Sequence, residues 1–176
     1  MKTALVLGVS VALGLASVGL FGLGVSACGG GDEVKSAYIT PGEMPPGQSW
    51  NGVYFHPVFG YLHMVEQDSN IVGRWKRSDQ SAWGELSGVI RGNVVHYTWK
   101  EHMAGMVGPS AEQKGKGYFI YKMNSDDQAE LKGEYGNNAA EVGSRWDCKK
   151  QQRMEPDLKS IGGPTAEESV RPGGLD

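Results

Sequence analysis

Cysteine is almost missing from this chain: Cys28 and Cys148 are the two it has among 176 residues. Two thiols so far apart make neither a paired-Cys zinc site nor the dense disulfide framework of a small exported scaffold. Long helix-period runs are missing too, which argues against a helical bundle. Residues 49–153 carry 13 Lys and Arg against 12 Asp and Glu. That near-neutral balance, without a basic patch, argues against nucleic acid as a partner. No Gly-x-Ser-x-Gly elbow, His-Glu-x-x-His helix or dinucleotide fingerprint occurs. Gly115-Lys116-Gly117 sits at a predicted strand start with no helix after it, so it offers no phosphate cradle.

What is present begins with an address. A single Lys2 precedes an apolar run from Ala4 to Val25, broken only by Gly and Ser. The run is long enough to span a bilayer as an ordinary anchor, but no Lys or Arg cluster follows to stop transfer. It ends in a small-residue cleavage pattern, which favours a signal peptide over residues 1–27. Val25, Ser26, Ala27 and Cys28 resemble, in order, the lipobox of bacterial lipoproteins: an aliphatic residue, two small ones and the modified Cys. The resemblance implies a diacylglycerol thioether on the Cys28 sulfur, cleavage before Cys28 and acylation of the new amino group. Each buried acyl methylene contributes about 0.8 kcal/mol, so two or more chains make a lasting anchor. Gly29, not Asp, follows the Cys, which by resemblance to enterobacterial sorting implies the outer membrane. The expected location is the cell envelope, with the membrane itself as first partner. With Cys28 committed to lipid, Cys148 has no partner within the chain and is expected to be buried and inert, with an intermolecular bridge or a reactive thiol as the alternative.

Removing residues 1–27 leaves 149 residues, enough for one domain with a core. Residues 28–48 read as the lipidated Cys and a flexible linker, because Gly29-Gly30-Gly31 and the Pro41–Gly47 stretch show no apolar period. Residues 154–176 read as a disordered, acidic Pro/Gly-rich tail, with the alternative that Pro156–Ile161 lies across the domain. Between them, residues 49–153 read as all-β. Apolar-x-Gly-x-apolar recurs at Trp50–Tyr54, Ile71–Trp75, Leu86–Ile90 and Leu131–Tyr135. In a strand these three positions share one face, and a Gly there admits a neighbour's large side chain or a sharp bend. Strands are predicted near 50–56, 60–66, 70–77, 83–91, 93–101, 115–123, 128–135 and 141–149, joined by short turns. Eight such strands, paired in sequence order, predict a single antiparallel up-and-down barrel, with a β-sandwich as the alternative.

Val95, Tyr97 and Trp99 alternate onto one face, as do Phe119, Tyr121 and Met123, and Trp146 with Cys148. Gly-x-Trp/Tyr strand starts, short hairpins and a late Trp strand resemble the calycin barrels, the avidin and lipocalin group, over residues 49–149. That resemblance implies the fold alone, since no biotin-binding or lipocalin signature is matched. The chain is also similar to a class of small bacterial lipoproteins, which implies nothing about chemistry. Trp75, Tyr97, Trp99, Phe119, Tyr135 and Trp146 are the residues expected to line any cavity for a small hydrophobic ligand.

The longest predicted connection, His102–Lys114, carries His102, Met103, Met106 and Val107 and is a candidate partner-binding loop or lid. Its alternative role is to fold back and plug one end of the barrel. His56, His63, His96 and His102 with neighbouring Met residues suit copper by ligand type, yet their spacing fits no metal template. Glu85, Glu101, Glu130 and Glu134 are expected to meet solvent, and Ser87 and Ser144 to be ordinary strand residues. No catalytic constellation, metal or cofactor is therefore expected. The expected function is that of a membrane-anchored, non-catalytic binding or assembly module for a protein or envelope component. A small hydrophobic ligand carrier is the alternative; hydrolase and copper-binding roles have less support.

Overall fold

The computed structural model describes residues 34–162, and the expected signal peptide, Cys28 and residues 163–176 lie outside them. Nine antiparallel strands follow in order: β1 (Gly52–His56), β2 (Gly60–Gln67), β3 (Asn70–Lys76), β4 (Ala82–Arg91), β5 (Val94–Met103), β6 (Glu112–Met123), β7 (Ala129–Asn137), β8 (Ser144–Arg145) and β9 (Cys148–Lys150). Consecutive strands pair from β1 to β7, and β9 pairs with both β7 and β1. The eight-stranded sheet thereby closes on itself, with β8 an extra short strand on β7. Closure excludes the sandwich. The predicted eighth strand has a two-residue gap in its pairing at Trp146 and Asp147, between β8 and β9, although the register with β7 runs on and the Trp146 amide donates to Gly133 O at 2.9 Å.

Local chemistry explains the turns. Asp68, Asp127 and Asn138 adopt positive φ at hairpin corners, where short polar side chains tolerate the left-handed region. Asn124 Oδ1 accepts from the Asp126 and Gln128 amides, both at 2.9 Å, and so organises the β6–β7 turn before pairing begins.

Inside, large rings face glycines across the ladders. Trp75 is registered with Gly84, Tyr97 with Gly117, Trp99 with Gly115 and Phe119 with Gly133. A β-carbon on any of those glycines would overlap the facing ring. Space vacated on one strand is filled from the next, which lets a narrow barrel hold this many aromatics. Trp50, Trp75, Phe119, Tyr121 and Leu131 are at most 1% exposed. The outward face instead carries charged residues such as Arg74, Glu85, Lys100 and Lys114, where a membrane-spanning barrel carries an apolar band.

The barrel end formed by the tight turns is shut by the chain entering β1. Trp50 packs edge-on against Tyr121 at 5.5 Å, and the Tyr121 hydroxyl donates to Gln48 Oε1 at 2.7 Å. Lys150 Nζ donates to Ser49 O at 2.9 Å, tying β9 to the same cap. Two stretches expected to be loose are described in part, and the described parts lie on the barrel. Lys35 O accepts from the Glu141 amide at 2.8 Å, and Gly42 and Asn93 exchange two hydrogen bonds. At the other terminus Pro156–Ile161 lies across the barrel, the alternative reading of the tail. His63 Nδ1 accepts from the Asp157 amide at 2.9 Å, Arg74 donates to Ile161 O at 3.2 Å, and Ile161 is buried.

Candidate functional site

The opposite end of the barrel, where the longer connections lie, is open as a pocket of about 230 Å³. Alternation delivers its walls. Trp75 is the last inward residue of β3, Trp99 and Glu101 end the inward face of β5, and Tyr135 does the same for β7. Phe59 enters from the β1–β2 turn and Trp146 from the break between β8 and β9. Trp146 is the hub: its ring lies 4.7 Å from Phe59, 5.0 Å from Trp75, 5.3 Å from Phe119 and 5.9 Å from Tyr135. It forms a floor that separates the mouth from the packed interior.

A buried carboxylate sits in one wall. Glu101 is 3% exposed, against the expectation that it meets solvent. Its oxygens accept from Arg77 Nη2 at 2.6 Å, Arg77 Nε at 3.0 Å and Trp75 Nε1 at 3.2 Å. The fork-shaped guanidinium and a second donor together offset the cost of withdrawing a carboxylate from water. The hydrogen bonding that Arg77 donates to Glu101 raises the Arg77 pKa above its ordinary value. Arg77 also lies 5.6 Å from the Phe59 ring centre, so one cation ties the acidic wall to the aromatic one.

Of the six aromatics expected to line a cavity, Trp75, Trp99, Tyr135 and Trp146 meet at this mouth. Tyr97 and Phe119 stack on each other 4.8 Å apart beneath it, in the filled interior. Burial raises the Tyr97 pKa well above that of an ordinary tyrosine. Arg77, Glu101 and Phe59 line the pocket as well, together with Gln113 and residues of the 136–144 stretch, and none of these was among the expected lining residues. Glu101 was detectable, because the Val95-Tyr97-Trp99 alternation reaches it in one more step. Arg77 likewise continues the inward set of Ile71, Gly73 and Trp75.

The candidate loop is shorter than expected. β5 runs on through His102 and Met103, and His102 pairs with Glu112 at the start of β6, leaving 104–111 as the connection. His102 stacks on Trp83 at 4.3 Å on the outer surface, and Met103 is half-buried. Met106 is 51% exposed and Val107 93% exposed, so the loop tip does not plug the barrel.

The remaining polar groups are dispersed. His56 Nδ1 accepts from the Val58 and Phe59 amides, His63 holds the tail, and His96 contacts Glu141. Among the described residues, no three His, Cys, Asp or Glu side chains gather as a metal-ligand set. Ser144 lines the pocket rim, but the four histidines are engaged elsewhere. Cys148 is buried, and burial pushes its thiol pKa far up, which leaves it unsuited to act as a nucleophile. The arrangement suits holding a small group against π faces beside one guanidinium edge. Comparison of the chain with protein-family models, with curated proteins and with solved structures finds no match in any of the three.

Proposed function

We propose that this chain is a non-catalytic, lipid-anchored envelope protein that binds a protein or envelope component through the open end of its barrel. One observation carries the reading: the interior is filled, while the exposed Met106 and Val107 and the aromatic mouth pocket occur at the same barrel end. Exposed apolar loop tips beside a concave aromatic site are what partner recognition uses. Glu101, whose oxygens already accept three hydrogen bonds, serves as a wall and not as a catalytic acid or base. The lipobox-like Val25–Cys28 supports anchoring at Cys28, and Gly29 supports the outer membrane. Crosslinking in cells followed by purification is expected to return one reproducible partner that deletion of residues 103–109 abolishes. An unchanged partner after that deletion would contradict the loop's role. Cys28→Ala is expected to leave an unprocessed precursor and to abolish fatty-acid labelling.

A second reading has an observation of its own. Four of the six expected ligand-lining aromatics surround the 230 Å³ pocket, which suits a small hydrophobic ligand at the mouth. Native mass spectrometry of protein extracted from its membrane is expected to show a bound small molecule on that reading. A ligand-free mass there would leave the partner-binding reading alone.

A further inference from the structure

The outer face of β3–β6 carries a groove that borders the mouth pocket at Trp99. Val72, Ser87, Thr98 and Lys116 are consecutive register partners across the four strands and form its floor. Two adjoining hollows, of about 880 and 540 Å³, share those four residues. Lys159 of the docked tail stands on one side, and Ser36 and Glu141 on another. The charge here is unbalanced. Lys100 and Lys114 are directly opposed in register, a like-charge pairing that a sheet face disfavours. Glu85 lies 3.6 Å from Arg74, Glu112 lies 4.0 Å from Lys100, and Glu141 contacts His96. Lys114, Lys116 and Lys159 have no carboxylate partner among the described residues.

We propose that this groove face docks on the anionic phospholipid headgroups of the membrane that holds the protein. The inference rests on the anchoring of Cys28 proposed above. Val34, where the described chain begins, is six residues beyond Cys28, a reach of about 20 Å at most. The next residues are fastened at the groove itself: Lys35 O and the Ala37 amide both bond to Glu141, and Ser36 lines the hollow. A lipid on Cys28 would therefore keep this face, where the described chain starts, within reach of the headgroups. Clustered lysines are attracted to an anionic leaflet within about 10 Å of its surface at ordinary salt.

The test uses the full-length protein purified from membranes and reconstituted into vesicles of neutral phosphatidylcholine, alone or with one quarter phosphatidylglycerol. A fluorophore is placed at Thr98→Cys in the groove or at Lys149→Cys on the opposite face; buried Cys148 does not compete for it. A headgroup-attached quencher is expected to quench the Thr98 position at least about threefold more than the Lys149 position on anionic vesicles. Lys100→Gln/Lys114→Gln/Lys116→Gln, or roughly 0.5 M salt, is expected to abolish that difference. Equal quenching of both positions on vesicles that still carry the protein would overturn the docking while leaving the anchor intact. Equal preference on neutral vesicles, or quenching indifferent to the triple variant, overturns the electrostatic basis; an acidic protein segment bound to the same lysines would show itself by that indifference. Failure of the protein to float with vesicles of either kind overturns the anchor, and the docking with it.

Discussion

Glu101 and Arg77 carry the strongest charge interaction inside the barrel mouth, and its consequences are measurable one residue at a time. Glu101→Gln leaves the guanidinium without a counter-charge, and the free energy of unfolding is expected to fall by about 2 kcal/mol. Breaking a fully buried pair costs roughly 3–5 kcal/mol, and the smaller figure reflects the partial solvation of Arg77. The double variant Glu101→Gln/Arg77→Met is expected to recover part of the loss, so a double-mutant cycle in urea measures the coupling. His63 offers a pH test. Burial lowers its pKa below the ordinary 6.5, while the nearby Asp157 carboxylate works against that shift. Neutral His63 accepts the Asp157 amide; the protonated ring cannot. The docked tail is therefore held fully above about pH 6.5 and loosens as the pH falls through the lowered value, with a lower protection factor, taken against the intrinsic rate at each pH, for the Asp157 amide. An unchanged protection factor down to pH 4 would show that His63 does not hold the tail. Both residues show what alternation conveys and what it omits. Glu101 is placed inward by counting along one strand, but its pairing with Arg77, just past β3, and the tail amide on His63 join distant parts of the chain, and no local period reveals which residues meet.

At the level of elements, the barrel depends on glycines facing rings. Gly84→Ala forces a β-carbon into the Trp75 ring, and overpacking of this kind is expected to cost about 1–3 kcal/mol, read as a lower urea midpoint with unchanged slope. Ser87→Ala, on the outward face of the same strand, is expected to change stability by less than about 0.5 kcal/mol. The eight strands and their turns were legible because period-two alternation, Gly spacing and Asp/Asn corners all act locally. The gap at Trp146–Asp147 was not, since there the Asp147 carboxylate accepts from the Gly133 amide, a side-chain contact with no sequence period. Residues 35–48 and 154–161 lacked apolar period and read as loose. They are held by hydrogen bonds to single acceptors and donors, Glu141, Asn93, His63 and Arg74, and such contacts have no sequence period.

Across the whole molecule, a filled interior and one open end combine with the tether proposed at Cys28. The outer groove was illegible in the sequence because Lys100, Lys114 and Lys116 are gathered by cross-strand register, while the domain's net charge is close to zero. The central claim is that a membrane-held barrel engages its partner through the loop-bearing end. It is tested most directly by a photo-crosslinker placed in living cells at exposed Val107, or at Lys149 as the control on the barrel side. The account predicts one reproducible adduct from position 107, none from 149, and loss of the adduct in Cys28→Ala. The same adduct from both positions, or one that survives loss of Cys28, would contradict it.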